Sequence, residues 1–256
     1  MKRTAAALLG LTLVIGLAIA APSAERRSGF DDMSPTTQAL QRDDAQNPAM
    51  LWVQGGADLW TRRAGTSDKS CASCHGDATQ RMKGVAARYP RFDAREKRAV
   101  DLGERIQLCR QRHQLATPFA PESEELLSLA AYIGLQSRGL AVTPDDDPRL
   151  APAAERGERL FTQRTGQLDL ACAQCHVDQA GRKLGGSTIP QAHPTGYPIY
   201  RLDWQAMGSL QRRLRACMTG VRAEPYPFAA QEWVDLEVYL ARRAAGMPVE
   251  TPAVRP

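Results

Sequence analysis

The sequence carries one five-residue motif twice, 101 positions apart. Cys71-Ala72-Ser73-Cys74-His75 recurs as Cys172-Ala173-Gln174-Cys175-His176. Two thiols three positions apart can each bind a vinyl group of one porphyrin, and the adjacent histidine can bind the iron from the same side. A chain that holds two such groups must fold around both of them, so this motif constrains the fold more than any other feature of the sequence.

Other uses of paired cysteines fit this pattern less well. A zinc ribbon needs four thiolate or imidazole ligands for each metal ion, without an adjacent histidine in both motifs. A redox dithiol normally occurs once, in a βαβ context that the sequence does not indicate. We therefore predict two covalently bound c-type haems. The predicted attachment cysteines and axial histidines are Cys71, Cys74 and His75 for the first haem and Cys172, Cys175 and His176 for the second.

The motifs belong to a longer internal repeat. Residues 56–75 align without gaps with residues 157–176, and ten of the twenty positions are identical. The second copy then gains seven residues, so that the offset becomes 108 at Tyr89-Pro90 and Tyr197-Pro198 and 107 near the end of each copy. This self-similarity indicates one haem-binding unit of about 90 residues that is built twice.

Apolar periodicity predicts helices at equivalent places in both copies. The first predicted helix of each copy covers residues 52–60 or 154–161. A second helix in each copy has an apolar face whose last residue is Cys109 or Cys217, and a third helix ends the copy. No convincing period-two strand is found. We expect an all-α fold of two tandem cytochrome c-like domains. The expected segments are a signal peptide (1–20), a loosely ordered N-terminal extension (21–46), the first haem domain (47–141), a linker (142–153), the second haem domain (154–248) and a C-terminal tail (249–256).

The N-terminus predicts export. Lys2 and Arg3 precede an apolar run over residues 5–20 that ends in a small-x-small cleavage site at Ala18-Ile19-Ala20. A membrane anchor is the alternative, but 16 residues fall short of the ~20 that span a bilayer. We expect a periplasmic protein without a membrane span in its mature form. Its formal net charge of +5 is dispersed along the chain, which argues against nucleic-acid binding.

Two cysteines remain outside the motifs. Cys109 and Cys217 occupy the same place in the repeat. Exported cysteines often pair as a disulfide, but each of these lies on the apolar face of its own predicted helix. We therefore favour a thiolate bound to the iron of its own haem on the side opposite the histidine. Methionine or histidine ligation is the third possibility, although no methionine or histidine recurs at equivalent positions.

At this point the chain resembles a known family. Several segments are similar to the SoxA family, which comprises the dihaem subunits of periplasmic thiosulfate-oxidising SoxAX cytochromes. They are residues 47–53, 71–76, 105–110, 193–201 and 212–222. The resemblance covers nearly all of the mature chain and implies iron ligation by His75 and Cys109 at the first haem and by His176 and Cys217 at the second.

The resemblance also implies an activity, that of an L-cysteine S-thiosulfotransferase. Such an enzyme joins thiosulfate oxidatively to a cysteine of the SoxYZ carrier protein and passes two electrons through haem to an acceptor cytochrome c. Cys217 would be the catalytic residue, carried as a persulfide, and a SoxX-like monohaem subunit would be the partner. Copy one lacks an equivalent of the segment that follows Cys217, so we expect the chemistry at the second haem.

The residues near Cys217 suit an anionic substrate. Arg213 lies four residues before Cys217, so both share one helical face, and a guanidinium group suits an oxyanion of thiosulfate. A haem-propionate partner is the alternative for Arg213, because Arg105 occupies its place in copy one. His193 could line the second pocket or have a structural role. A dihaem electron carrier without substrate chemistry and a dihaem peroxidase are the alternative functions.

Overall fold

The computed structural model describes residues 25–256, so the predicted signal peptide lies outside the described residues. Helices form most of the regular structure. They are α1 (Pro35–Arg42), α2 (Met50–Thr61), α3 (Cys71–His75), α4 (Ala78–Arg81), α5 (Leu102–Cys109), α6 (Glu124–Leu135), α7 (Ala151–Thr162), α8 (Leu210–Gly220) and α9 (Gln231–Arg243). Each helix expected from the apolar periodicity is present.

The first and last helices of each copy pack closely together. α2 packs on α6, and α7 packs on α9. Gly56 allows the first crossing, because a Cβ atom there would lie 2.1 Å from the carbonyl oxygen of Ser128. Gly157 allows the second in the same way, with the carbonyl oxygen of Asp235 at 2.1 Å. The two haem motifs and the helices that carry Cys109 and Cys217 are arranged around these two helix pairs.

The backbone repeats as the sequence does. Non-glycine residues with positive φ occur in matched pairs at each of the three offsets, 101, 108 and 107. The pairs are Asp68 and Asp169 (φ 48° and 49°), Lys97 and Gln205 (55° and 50°), Leu115 and Arg222 (52° and 58°), and Glu122 and Ala229 (61° and 63°). Because non-glycine residues seldom adopt this conformation, matched occurrences indicate that both copies follow the same path.

One irregular turn accounts for the change of offset from 108 to 107. Copy one continues from α5 into a π-helical turn, Arg110–Gln114, whereas α8 runs on as an α-helix from Leu210 to Gly220. A π-helical turn accommodates an additional residue within a helix. The extra residue of copy one is therefore taken up directly after Cys109, and the cysteine itself keeps its equivalent place.

Short strands were not expected from the sequence. They are β1 (Arg91–Asp93), β2 (Arg98–Val100), β3 (Lys183–Leu184), β4 (Ser187–Thr188), β5 (Ile199–Arg201), β6 (Ala206–Gly208) and β7 (Ala253–Arg255). β1 and β2 form an antiparallel hairpin, and β5 and β6 form its equivalent in copy two. Strands of two or three residues are too short to produce an alternating pattern in the sequence, and the fold remains mainly helical.

The expectation of a loosely ordered N-terminal extension is wrong for its described part. From residue 25 onwards this segment contains α1, and Ser28, Met33 and Gln41 are buried. The Gln41 side-chain oxygen accepts hydrogen bonds from the Val254 amide at 3.0 Å and from Arg255 at 2.6 Å. Polar residues in this extension therefore bind the other end of the chain, which composition could not indicate.

The C-terminal tail is also ordered. β7 pairs in parallel with β5, so that the hairpin of copy two becomes a three-stranded sheet in the order β6-β5-β7. Ala253 and Val254 are completely buried. The last residues of the chain thus cover one edge of the hairpin in the second domain.

The predicted linker contributes to a core between the two halves. Leu150, Ala153 and Ala154 pack with Ala99 of copy one and with Val234 and Val238 of α9. The prolines and aspartates of residues 142–153 do punctuate the chain, but the apolar residues at its end hold the two halves against each other. Across residues 25–256, no helix has the length and apolar character needed to cross a membrane.

Candidate haem sites

The first site is a cavity of about 460 Å³ within copy one. Its lining combines the motif on α3 with Cys109 at the end of α5. The rest of the wall is largely apolar, with Trp60, Ile106, Leu129 and Ile133 among the lining residues. Two thiols and an imidazole on α3 and a third thiol on α5 line this apolar slot, and these residues would suit a covalently attached haem.

Local hydrogen bonds hold the first motif in place. Ser70 caps α3 in a capping box with Ser73, which fixes the start of the helix at Cys71. The indole nitrogen of Trp60 donates to the Gly76 carbonyl at 2.9 Å, and its ring centroid lies 5.8 Å from that of His75. Trp60, which lies on α2, therefore helps to position the imidazole of His75.

The thiols of the first site lie close enough to influence one another. Burial raises the pKa of Cys71, and the neighbouring Cys109 thiol raises it further. Burial also raises the pKa of Cys109, while the guanidinium groups of Arg105 and Arg112 oppose that rise. None of the six cysteines forms a disulfide in the structure, so Cys109 and Cys217 are not paired with each other.

The second site repeats this arrangement. Cys172 packs against a cluster of Phe161, Leu236 and Leu240, which correspond to Trp60, Leu129 and Ile133 of copy one. Burial raises the pKa of Cys172 to about 11, with the Cys217 thiol as the next cause. The fold thus brings Cys217 to the motif of its own copy, as it brings Cys109 to the first motif. The donor set of Cys172, Cys175, His176 and Cys217 fits a second haem in the same way.

The longer loop of copy two supplies a contact that sequence reasoning missed. The Nδ1 atom of His176 lies 2.7 Å from the carbonyl oxygen of Pro190. A backbone carbonyl that accepts from one imidazole nitrogen fixes the tautomer and directs the other nitrogen towards the metal. The seven-residue gain after the second motif was the available signal. In the same loop, Nδ1 of His193 lies 2.7 Å from the Arg27 carbonyl, which joins the loop to the N-terminal segment.

The arginines four residues before Cys109 and Cys217 have different surroundings. Arg105 forms an ion pair with the buried carboxylate of Asp93 at 2.5 Å. Arg213 forms no ion pair within 4.0 Å in the described part of the chain. Burial raises the pKa of Tyr197, and nearby Arg213 opposes this rise while nearby Cys217 adds to it. The charges of both predicted reaction-site residues therefore act on the Tyr197 hydroxyl.

These two sites coincide with a described domain family. Residues 55–142 and 156–249 each match the SoxA/TsdA cytochrome c domain. The chain belongs to the SoxA/TsdA family. Its two matched segments confirm the predicted fold of tandem cytochrome c domains, and a cytochrome c domain holds covalently bound haem c.

Relatives of this SoxA/TsdA chain cover almost its whole length. It is 40% identical over 235 residues to the SoxA subunit of L-cysteine S-thiosulfotransferase from Pseudaminobacter salicylatoxidans, an alignment that spans 91% of this chain and 82% of that one. The corresponding subunit from Paracoccus pantotrophus is 34% identical over 89% of this chain and 78% of its own. The crystal structure of SoxXA from P. pantotrophus superposes with a TM-score of 0.86 at 33% identity, over 90% of this chain and 87% of that chain.

Proposed function

We propose that this protein is the dihaem subunit of a periplasmic L-cysteine S-thiosulfotransferase. Relatives with that activity in their names align over about nine tenths of the chain. The observation that carries the proposal is the pairing of a free cysteine with a c-type haem motif in each copy, because electron-transfer cytochromes c use methionine at that place. We infer two haems, held in domains at residues 47–141 and 154–248.

The proposed reaction joins two sulfur atoms. A carrier cysteine thiolate and the outer sulfur of thiosulfate form one S–S bond, which gives a carrier S-thiosulfonate and releases two electrons. The thiol proton of the carrier is lost to solvent, and the S–S bond within thiosulfate stays intact. The haems that the two motifs would hold would supply the redox chemistry that carries these electrons to an acceptor cytochrome c.

We assign the chemistry to the second site. Cys217 is the proposed catalytic residue, carried as a persulfide, and Arg213 is the proposed substrate-positioning residue. Arg213 lies one helical turn before Cys217 on α8, and no carboxylate within residues 25–256 pairs with it. At the first site the equivalent Arg105 is paired with Asp93, so this guanidinium group is already bound to a carboxylate there. We assign the first haem an auxiliary role.

The proposed partners follow from the relatives. The crystal structure that superposes on this chain is that of SoxXA from P. pantotrophus, and we propose a SoxX-like monohaem subunit as the partner of this chain. The proposed carrier is SoxYZ, and the proposed compartment is the periplasm, to which the N-terminal sequence would export the chain.

The decisive variant is Cys217→Ser in the haem-loaded complex. We expect loss of thiosulfate conjugation to the carrier, since the reacting sulfur is removed, while both haems stay attached through their motif cysteines. The measurement is mass spectrometry of the carrier after incubation with thiosulfate and oxidised acceptor. Cys109→Ser is the comparison at the first site. Full-rate conjugation by Cys217→Ser, or equal loss in both variants, would contradict the assignment.

An intact mass of the protein tests the cofactor count. We expect a mass that corresponds to two covalent haems, with one additional sulfur atom on a peptide that contains Cys217. Electron paramagnetic resonance should show low-spin, thiolate-ligated haems. A methionine–iron charge-transfer band would instead support a simple electron carrier, and a high-spin haem with peroxide-dependent oxidation of a donor would support a peroxidase.

A further inference from the structure

The two haem sites differ in charge at one strand position that faces the cysteine-bearing helix. In copy one this position holds Asp93, the last residue of β1. Its side chain is only 5% exposed and contacts Arg105 at 2.5 Å and Arg112 at 3.6 Å. A side chain at this strand position therefore reaches the arginine four residues before the ligand cysteine.

Copy two carries an arginine at the same position. Arg201 ends β5 and is paired with Ala206, in the same register in which Asp93 is paired with Arg98. Thr219 and Gly220 occupy the segment where copy one has Arg112. Asp93 and the second arginine that contacts it, Arg112, are thus both replaced at the second site, and the carboxylate is replaced by a guanidinium group.

The side chain of Arg201 begins at the strand position from which Asp93 reaches Arg105 in copy one. Its side chain is 17% exposed and forms an ion pair with Asp203 at 2.9 Å. Burial tends to raise the pKa of Asp203, while the hydrogen bond from Arg201 and the positive charges of Arg201 and Arg213 lower it. Tyr197 also lies within the influence of Arg213, Cys217 and Arg201. The charges of Arg201 and Arg213 therefore both act on Asp203 and on Tyr197.

We propose that Arg201 and Arg213 together form an anion clamp that positions the sulfonate end of thiosulfate. Two planar guanidinium groups can donate paired hydrogen bonds to a tetrahedral oxyanion. Because Arg213 is one turn from Cys217, a sulfonate held between the arginines directs the outer sulfur of thiosulfate towards Cys217. Asp203 positions Arg201 through their ion pair. This inference rests on the proposed function and adds a positioning residue to it.

The clamp is tested by thiosulfate binding to the haem-loaded complex without carrier, so that no turnover occurs. In Arg201→Gln we expect the Kd for thiosulfate to rise by about 10- to 100-fold, as for loss of a hydrogen bond between charged groups. Arg201→Asp should weaken binding further, because the introduced carboxylate can pair with Arg213 as Asp93 pairs with Arg105. In turnover, KM should rise more than kcat falls.

Arg149→Gln is the matched control. Arg149 also pairs with an aspartate two residues away, Asp147, at 2.6 Å, but it lies in the segment between the two haem domains and is 57% exposed. We expect its Kd to equal that of the wild type, although it loses the same charge. Haem content, far-ultraviolet circular dichroism and the potential of each haem are measured for every variant.

The outcomes separate this inference from the proposed function. A wild-type Kd in both Arg201 variants, with conjugation intact, would overturn the clamp and leave the proposed function standing. A changed haem potential with an unchanged Kd would assign Arg201 to a haem propionate and also overturn the clamp. Failure of the wild-type complex to conjugate thiosulfate would contradict the proposed function, and failure to bind thiosulfate would overturn the clamp.

Discussion

At the scale of single residues, Asp93 has the most strongly bound carboxylate of the first site. Burial alone would raise its pKa, but the amide groups of Glu96 and Arg95 and the guanidinium group of Arg105 lower the pKa from 3.8 to about 2. The folded pKa is below the unfolded one, so the ionised carboxylate stabilises the fold above about pH 4. That contribution is lost as the pH falls from about 4 towards 2.

We predict that Asp93→Asn lowers the free energy of unfolding by about 1–3 kcal/mol at pH 7, because Arg105 and Arg112 lose their charged partner. The difference between variant and wild type should shrink as the pH falls below about 4. Denaturant titrations of both haem-loaded proteins at several pH values measure it. A difference that stays constant between neutral pH and about pH 2 would show that the ion pairs do not stabilise the fold.

At the scale of elements, periodicity predicted the main helices but not their exact partners or interruptions. Apolar residues three and four apart fix which face of a helix is buried. They do not encode three-residue hairpins, and the π-helical turn after Cys109 depends on one extra residue that only a comparison of the copies reveals. The close crossing at Gly56 was visible as a repeated glycine, while its contact with Ser128 required the packed helices.

The helix crossing gives a prediction at this scale. Gly56→Ala should lower the free energy of unfolding by about 1–3 kcal/mol or more, because the added methyl group would meet the Ser128 carbonyl at 2.1 Å and force α2 away from α6. Thermal unfolding measures the effect. Gly55→Ala is the control on the same helix, where the nearest atom is the Ser128 hydroxyl oxygen at 3.4 Å. Equal stability of the two variants would contradict the tight crossing.

At the scale of the whole molecule, the two ends of the chain hold each other. Asn47 donates to the Pro252 carbonyl at 2.9 Å, and Gln41 binds Val254 and Arg255. β7 also joins the sheet of copy two by pairing in parallel with β5. The N-terminal segment, the C-terminal strand and the second domain therefore form one connected body, although sequence patterns predicted an extension and a tail.

Removal of residues 253–256 tests this connection. We predict a loss of at least about 2 kcal/mol in unfolding free energy, because Val254 and Ala253 no longer bury their side chains. Amide hydrogens of α1 should exchange faster, since Gln41 loses its partners. Hydrogen exchange with mass spectrometry reads out both regions. Deletion of the exposed Pro256 alone is the control, and unchanged protection of α1 after the longer deletion would contradict the connection.

The sequence by itself determined the haem motifs, the duplication, the helical class and the equivalence of Cys109 and Cys217. These features are local or repetitive, so the spacing and periodicity of residues in the sequence are sufficient to reveal them. Only the tertiary structure decided that the Pro190 carbonyl contacts His176, that Arg105 pairs with Asp93 while Arg201 pairs with Asp203, and that the N-terminal extension packs on the C-terminal strand. Such contacts join residues from separate elements, and their geometry exists only after the helices and hairpins have packed.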